Sequence, residues 1–181
     1  MKSTKTSSLG LGCATFGREI DEPKSRALLD HAHAEGLAHF DTAAAYSAGA
    51  SEAILGRWLE DRRPPGAVVI TKLVPPYDAA SLAAGLAASL ARLRRPGVDV
   101  FYLHRWDPTL TDESLRALEE ARQAGRFRRL GLSNISPAQL RAVLGRQREL
   151  GLRPCEVLQC NQNFAVTELT PDMRAVCADF G

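Results

Sequence analysis

Short apolar runs alternate with amphipathic stretches along most of the chain, in a unit that repeats about every 30 residues. A short run rich in Val, Ile, Phe and Leu is typical of a strand that is covered on both faces. Each run is followed by apolar residues at the spacing of a helix with one buried side. Strands are therefore predicted at residues 37–42, 68–71, 98–104, 127–133 and 156–160.

Helices are predicted between these strands, because most amphipathic stretches begin near a capping residue and end at glycine or proline. Ser51 and Thr111 are the predicted N-caps of the second and fourth helices, and Ser136 followed by proline opens the fifth. The glycine-rich segment 7–17 predicts a short hairpin or a loop at the edge of the sheet. The predicted helices cover residues 22–35, 79–93, 111–124 and 136–150, with one more from Ser51 to Pro64 and a last one that opens at Thr170.

Strand, loop and helix in alternation imply a parallel sheet with helices outside it, which is the α/β class. A doubly wound open sheet shares this rhythm, but its phosphate-binding GxGxxG loop is absent. Gly10 and Gly12 precede the first predicted strand and have no third glycine. If the sheet curls into a (β/α)8 barrel, the chain supplies five of its eight strands.

The composition is that of a soluble globular protein, with 45% apolar and 24% charged residues. The net charge is +2 and Lys and Arg are interspersed with acids, so neither a nucleic-acid partner nor a membrane surface is predicted. No apolar run approaches the ~20 residues that span a bilayer, and the first residues lack the apolar segment of a signal peptide. The chain is therefore predicted to be cytoplasmic.

Four cysteines, Cys13, Cys155, Cys160 and Cys177, show no close paired spacing. Small buried residues in a reducing compartment are the favoured interpretation. Structural disulfides or zinc ligation are the alternatives. No metal site is predicted.

Reactive side chains close several of the predicted strands, and in a barrel of parallel strands all such ends meet on one face. Lys72 ends a buried strand and needs a counter-charge, which Asp41 at the end of the adjacent strand supplies. Tyr46 follows in the loop after Asp41, and an ammonium beside a phenol stabilises the phenolate. A purely structural ion pair and an ordinary surface tyrosine are the alternative interpretations.

Further polar residues close the next three strands. Beside a phenol and a lysine, His104 would polarise a carbonyl or share a proton with Tyr46, and a structural histidine is the alternative. Ser133, Asn134 and Gln159 do not titrate. The C-terminal ends of the strands form one rim of the barrel. Grouped on this rim, the three residues would bind an amide such as the carboxamide of nicotinamide, although polar residues at such positions also hydrogen-bond the following loop.

Six segments in a fixed order resemble the successive motifs of the aldo-keto reductase family: LGLGCATFG, FDTAAAYSAGASEAILG, ITKL, LHRWDP, GRFRRLGLSN and EVLQCN. The resemblance implies a (β/α)8 barrel that binds NADP(H), less often NAD(H), without a glycine-rich dinucleotide loop. It also implies a small carbonyl substrate, an aldehyde or ketone, that is reduced to an alcohol. The predicted fold is therefore a partial TIM (β/α)8 barrel with about five βα units of eight, in one domain over residues 1–181.

The resemblance also implies a role for each residue of the rim. Tyr46 would be the general acid that protonates the carbonyl oxygen. Lys72, in an ion pair with Asp41, would assist it by stabilising the phenolate. His104 would orient the substrate carbonyl and assist the proton transfer. The expected NADPH contacts are Asp41, Ser133, Asn134, Gln159 and the backbone around Cys13 and Ala14, and Trp106 is expected either to face the substrate or to pack in the core.

Two features depart from the family's pattern. Ser47 stands where the family has glycine after the tyrosine, which alters the loop and leaves the phenol. The match also stops after the fifth predicted strand, so we expect a C-terminally truncated chain without the segments that stack on nicotinamide and grip the phosphates. The alternative function is therefore a catalytically inactive barrel fragment or an interaction module, completed by self-association or by a partner chain through the open barrel edge.

Overall fold

The structure, a computed structural model, describes residues 9–180, which form one sheet with helices between its strands. Six strands pair in chain order, and every pair is parallel. The strands are β1 (Gly10–Gly12), β2 (His39–Asp41), β3 (Val68–Leu73), β4 (Val98–Leu103), β5 (Phe127–Ser133) and β6 (Val157–Gln159). The helices are α1 (Glu22–Ala34), α2 (Ala50–Arg62), α3 (Ala79–Leu93), α4 (Asp112–Gln123), α5 (Pro137–Glu149) and α6 (Pro171–Phe180).

All five predicted strands are present as β2 to β6, and the six predicted helices are present as α1 to α6. The prediction of the α/β class with a parallel sheet is therefore confirmed. Thr111 and Ser136 cap α4 and α5 as predicted. Each forms a capping box, in which the cap and the third helical residue exchange hydrogen bonds.

Within the glycine-rich segment 7–17, Gly10–Gly12 form a strand, so the predicted hairpin is wrong and the strand count rises from five to six, while residues 7 and 8 lie outside the described residues. β1 lies at the edge of the sheet, with Gly10 opposite His39 and Gly12 opposite Asp41. A Cβ at Gly10 would lie 3.1 Å from Cβ of His39, so this close approach favours glycine. A three-residue strand with two glycines has no apolar run, which explains why the pattern did not indicate it.

The predicted N-cap of α2 is also wrong, because the helix begins at Ala50 after Gly49. Gly49 has φ 91°, a left-handed conformation that favours glycine. Ser51 therefore lies inside the first turn, where it is fully buried. Its hydroxyl donates to the carbonyl of Cys13 at 2.7 Å instead of capping the helix.

The sheet curls toward a barrel. In a flat sheet, the four strand spacings between β2 and β6 would separate these strands by about 19 Å. Yet Nε2 of Gln159 in β6 donates a 2.7 Å hydrogen bond to Oδ2 of Asp41 in β2, which requires the two strands to bend toward each other. Within residues 9–180, β1 and β6 are the edges and do not pair with each other. The fold is a curled half-barrel, which confirms the predicted partial TIM barrel.

Successive residues of β3 point to opposite faces and define a helix side and an inner side of the sheet. The hydroxyl of Thr71 donates to Glu52 of α2, whereas the next residue, Lys72, reaches Asp41 on the inner side. The apolar core fills the helix side. Its fully buried large side chains include Leu29, Phe40, Leu55, Trp58, Leu93, Phe101, Leu118 and Phe127.

Two helical glycines offer a matched test of this packing. A Cβ at Gly56 of α2 would lie 2.8 Å from Cα of Leu93 in α3, whereas nothing lies within 4 Å of one at Gly145 in α5. We expect Gly56→Ala to lower the free energy of unfolding by about 1–3 kcal/mol, because backbone atoms have little room to move aside. We expect Gly145→Ala to raise it by about 0.4–1 kcal/mol. Urea denaturation measures both, and equal effects would contradict the close contact between α2 and α3.

The four cysteines all lie within the described residues and are free thiols. Cys13 is buried, Cys155 and Cys160 are half-buried, and Cys177 is exposed on α6, so the interpretation as a buried residue is wrong for Cys177. No helix within residues 9–180 has the length and apolar character needed to cross a bilayer. The same residues contain no group of three or more His, Cys, Asp and Glu side chains placed to hold a metal ion.

Candidate active site

The ends of β2 and β3 carry a buried ion pair on the inner side of the sheet. Lys72 is 1% exposed, and its Nζ donates to Oδ1 of Asp41 and, at 3.0 Å, to the carbonyl of Thr42. An ammonium group removed from water is costly unless it is paired and hydrogen-bonded, and these two acceptors meet that need. The ion pair expected from the sequence is therefore present.

Tyr46 lies in a 3-10 turn after β2 that places its phenol beside the lysine. Its Oη is 3.4 Å from Nζ of Lys72, and the same Nζ is 5.0 Å from the ring centroid. The turn is fixed by two hydrogen bonds: the N–H of Tyr46 donates to the carbonyl of Ala43 at 3.0 Å, and Oγ of Ser47 donates to the carbonyl of Phe16 at 2.8 Å. Ser47, which departs from the expected glycine, thus anchors the turn.

His104 directly follows β4 and completes the cluster. Its backbone N–H donates to the carbonyl of Leu73 at 2.8 Å, which extends the pairing of β3 with β4. Its ring meets that of Tyr46 edge-on, with centroids 5.7 Å apart and planes at 80°. Burial, with a smaller contribution from the charge of Lys72, lowers the pKa of His104 below its ordinary value of 6.5. The imidazole is therefore neutral at pH 7, with one ring nitrogen as donor and the other as acceptor.

The lowered pKa of His104 predicts a dependence of stability on pH. Between the folded-state pKa and 6.5, the unfolded chain binds more protons at this histidine than the folded protein does, so stability falls as the pH decreases through that window. We expect His104→Asn to lose less free energy of unfolding than the parent protein when the pH falls from about 7.5 to about 5.5. Urea titrations at both pH values measure this. The other three histidines remain in both proteins, so an identical loss would contradict the lowered pKa.

The polar residues at the ends of β5 and β6 lie at the same end of the sheet as the ion pair. Ser133 is buried, and Nδ2 of Asn134 donates to its Oγ at 3.1 Å and to the carbonyl of His104 at 2.7 Å. The side-chain nitrogen of Gln159 is bonded to Asp41. The structure thus brings the three predicted amide-binding residues together, and two of them already donate side-chain N–H groups within the rim.

Cys13 and Ala14 follow β1 on the same rim and differ in accessibility. Cys13 is fully buried: its N–H donates to the carbonyl of Asp41 at 2.8 Å, and its own carbonyl accepts from Ser51. Burial raises the pKa of its thiol to about 12, so the thiol is protonated at neutral pH. Ala14 is exposed, and Trp106, beyond the end of β4, is 38% exposed. Solvent thus reaches the last two of these residues and not the first.

Three buried polar residues that the motifs did not reveal support the cluster: Thr42, Ser51 and Glu52. The carbonyl of Thr42 accepts from Lys72, and its hydroxyl contacts Ser51. A signal for Glu52 was present in the sequence, because it shares a helix face with Leu55 and Leu59 at helical spacing. An acid within an otherwise apolar stripe indicates a buried partner.

The cluster combines a proton donor, a cation and a neutral imidazole. The phenol of Tyr46 contacts both Lys72 and His104. A phenol that loses its proton beside an ammonium is stabilised as phenolate. Nδ1 of His104 is buried without a hydrogen-bond partner among residues 9–180, so this ring keeps unused hydrogen-bonding capacity. Such a set is suited to protonating an oxygen atom that gains negative charge.

The sequence model of the aldo/keto reductase family matches residues 8–181. Norsolorinic acid reductase B of Aspergillus parasiticus is 31% identical over 204 residues, which cover 99% of this chain and 53% of that protein. Human aldo-keto reductase family 7 member A3 is 41% identical over 139 residues, or 70% of this chain and 40% of that protein. Human aflatoxin B1 aldehyde reductase member 2 is 41% identical over 137 residues, or 70% and 37% of the two chains.

A solved structure gives the same result. The thermostable aldo-keto reductase Tm1743 in complex with the inhibitor epalrestat matches with a TM-score of 0.86 at 25% identity, covering 97% of this chain and 65% of that one. The chain spans about half the length of the first of the curated relatives named above, 53%. The resemblance seen in the motifs is thereby confirmed, and the chain belongs to the aldo/keto reductase family.

Proposed function

We propose that this chain forms the proton-transfer part of an NAD(P)H-dependent reductase site, at which an aldehyde or ketone becomes an alcohol by hydride transfer with Tyr46 as general acid. The observation that carries the proposal is the 3.4 Å distance between Oη of Tyr46 and Nζ of the buried Lys72. Asp41 pairs that ammonium, and His104 contacts the phenol ring. Membership of a family of oxidoreductases supports the reaction class.

The proton moves from Oη of Tyr46 to the substrate oxygen. As the carbonyl carbon accepts a hydride with its two electrons, the C=O π pair moves to the oxygen, which takes the phenol proton and becomes the hydroxyl of the alcohol. The phenolate left behind is stabilised by Lys72 and regains a proton from solvent. A neutral His104 donates a hydrogen bond to the same oxygen and holds it near the phenol.

The expected cofactor is NADPH, since members of the family generally use NAD(P)H. When bound, it supplies the hydride. The residues present fit its nicotinamide end, because Ser133 offers a hydroxyl and Asn134 and Gln159 offer side-chain amides, which match the donor and acceptor of a carboxamide. They lie at the ends of β5 and β6, on the same rim as Asp41.

The substrate class is suggested by two relatives and one side chain. The relatives are named as reductases of norsolorinic acid and of aflatoxin B1 aldehyde. Trp106, 38% exposed, offers an apolar face near the rim. An aromatic aldehyde combines the aldehyde class with a ring that would pack on this face, so it is the first substrate to test.

The test is the loss of NADPH absorbance when the purified chain is mixed with an aromatic aldehyde, with NADH in parallel. We expect NADPH oxidation to require both the chain and the aldehyde and to yield alcohol in equal amount. Circular dichroism shows whether the chain is folded under the same conditions. A folded chain that oxidises neither nucleotide would contradict the proposal.

A second candidate, an interaction module completed by another chain, rests on the edges of the sheet. Within residues 9–180, β1 and β6 each pair on one side, and open edges bind further strands. All three residues of β6 are half-buried, and Phe164 in the following segment is fully exposed. We propose that the chain self-associates, or binds a partner chain, through these edges. Size-exclusion chromatography with light scattering tests this, since a discrete oligomer supports it and an active monomer contradicts it.

A further inference from the structure

An ion pair between the buried Glu52 and the half-buried Arg92, which the proposed reaction does not use, lies behind the site. Glu52, in the first turn of α2, is completely buried and accepts at both oxygens, from the hydroxyl of Thr71 at 2.5 Å and from Nε of Arg92 at 2.6 Å. Arg92, in the last turn of α3, also donates to Ser89 at 3.2 Å. Apolar residues of similar volume often give equal or greater stability than such a pair, so stability alone does not explain it.

One end of this pair holds the turn that carries Tyr46. A Cβ at Gly49 would lie 2.7 Å from Nε and 2.8 Å from Cδ of Arg92, so the arginine packs directly on the backbone of Gly49. Gly49 has φ 91°, and Ser47 and Ala48 before it have φ 50° and 51°. Consecutive residues in the left-handed region are costly and persist only where their surroundings hold them.

The other end of the pair holds the strand that carries Lys72. Thr71 precedes Lys72 in β3, and the two side chains lie on opposite faces of the sheet. Because the hydroxyl of Thr71 donates a hydrogen bond to Glu52, α2 fixes the position of β3 relative to the helix. It thereby also fixes the position of the Lys72 ammonium.

A second link from the same helix turn reaches the lysine through β2. Ser51 donates its single hydroxyl hydrogen to the carbonyl of Cys13, so Thr42 must be the donor in the 2.8 Å hydrogen bond between the two hydroxyls. The carbonyl of Thr42 accepts from Nζ of Lys72. The first turn of α2 therefore bonds to Thr71, which precedes Lys72 in β3. It also bonds to Thr42, which follows β2 and whose carbonyl accepts from Lys72.

We propose that Glu52 and Arg92 are positioning residues that set the distance between the phenol of Tyr46 and the ammonium of Lys72. The inference rests on the proposed function, because it names what holds that site in its reactive geometry. Arg92 restrains Gly49, three residues after the tyrosine, and Glu52 restrains the strand of the lysine. Loss of the pair releases the turn and leaves both reacting groups chemically intact.

The test uses the double variant Glu52→Gln/Arg92→Met, which removes both charges and so leaves neither one buried and unpaired. The matched control is Glu22→Gln/Arg57→Met. It removes a bidentate pair, with both bonds at 2.7 Å, that joins α1 to the same helix α2 without involving the tyrosine turn. Both variants are made in the full 181-residue chain.

The first readout, NMR of ¹³C-labelled tyrosine, does not depend on activity. The chain has three tyrosines, and Tyr46→Phe assigns the signal of Tyr46, which reports the edge contact with His104. We expect the double variant to shift or broaden this signal and to leave those of Tyr77 and Tyr102 unchanged, whereas the control leaves all three unchanged. A Tyr46 signal that does not move in the folded double variant overturns the inference.

The second readout is the pair of kinetic constants kcat and KM, measured separately in the aldehyde assay. We expect the double variant to lower kcat about 10- to 100-fold with KM near the parent value, the effect of a small displacement of reacting groups. Arg92→Lys keeps a cation near Glu52 and is expected to retain part of the activity and an intermediate Tyr46 signal.

The outcomes separate the inference from the proposed function. A parent chain without activity contradicts the proposed function, while the NMR comparison still decides whether the pair positions Tyr46. A double variant with the parent kcat overturns the inference even if the parent is an active reductase. If the double variant does not fold, the same comparison is made on Arg92→Lys, and a parent-like Tyr46 signal there overturns the inference.

Discussion

Tyr46→Phe is expected to lower kcat for aldehyde reduction by about 10²–10⁴-fold, the usual contribution of a general acid. The change removes one oxygen, 3.4 Å from Nζ of Lys72, and keeps the ring that packs edge-on against His104. Phenylalanine has no proton to donate, so the substrate oxygen must take one from water. NADPH oxidation in the steady state measures the effect, and thermal unfolding checks that the variant keeps the parent stability.

Tyr102→Phe is the matched control for this experiment. Tyr102 is a buried tyrosine of β4 that packs against Gly131, and burial raises the pKa of its phenol to about 12, which makes it a poor proton donor. We expect its kcat to equal that of the parent. The assignment of the general acid would be wrong if the two variants lost equal activity, or if Tyr46→Phe kept the parent rate.

Asp41→Asn is expected to lower the free energy of unfolding by about 3–5 kcal/mol, the cost of leaving a buried charge without its partner. Lys72 is 1% exposed, and its other contacts are the neutral carbonyl of Thr42 and the phenol of Tyr46. Asparagine keeps the shape of the side chain and removes its charge. The change also weakens the hydrogen bond that Gln159 donates. Urea denaturation measures the loss.

Glu60→Gln is the control for the loss of a carboxylate. Glu60 forms an ion pair with Arg94, and their side chains are 51% and 45% exposed, so solvent screens the pair. Its removal should cost about 0–1 kcal/mol. The double variant Asp41→Asn/Lys72→Met also removes the buried charge and should recover part of the stability. Equal losses for Asp41→Asn and Glu60→Gln would show that Lys72 does not depend on Asp41.

The predictable part of this protein is what local pattern and charge balance determine. The runs at 98–104 and 127–133 are too short for helices and too apolar for loops, and they form β4 and β5. Thr111 and Ser136 have the spacing of helix caps, and both cap. A lysine at the end of a buried strand requires an acid, so the pairing of Lys72 with Asp41 followed from energetics alone.

The parts that the sequence did not indicate depend on contacts between distant residues. Gly10 and Gly12 form a strand because β2 offers them a parallel partner, and two glycines carry no sign of that partner. Ser51 gives its hydroxyl to Cys13, 38 residues away, in preference to a helix cap. Gln159 looked like an amide-binding residue, and its bond to Asp41 appears only when the sheet curls.

The bond between Gln159 and Asp41 also sets an order of events during protein synthesis. Asp41 leaves the ribosome 118 residues before Gln159, a delay of about 6–24 s at usual rates of elongation. During that interval β3, β4 and β5 follow β2, and Lys72 reaches its counter-charge, but β6, which holds the curl of the sheet, is the last of these strands to emerge. The nascent chain therefore presents the open inner face of its sheet for seconds, which is the period in which a chaperone or a second nascent chain has access to it.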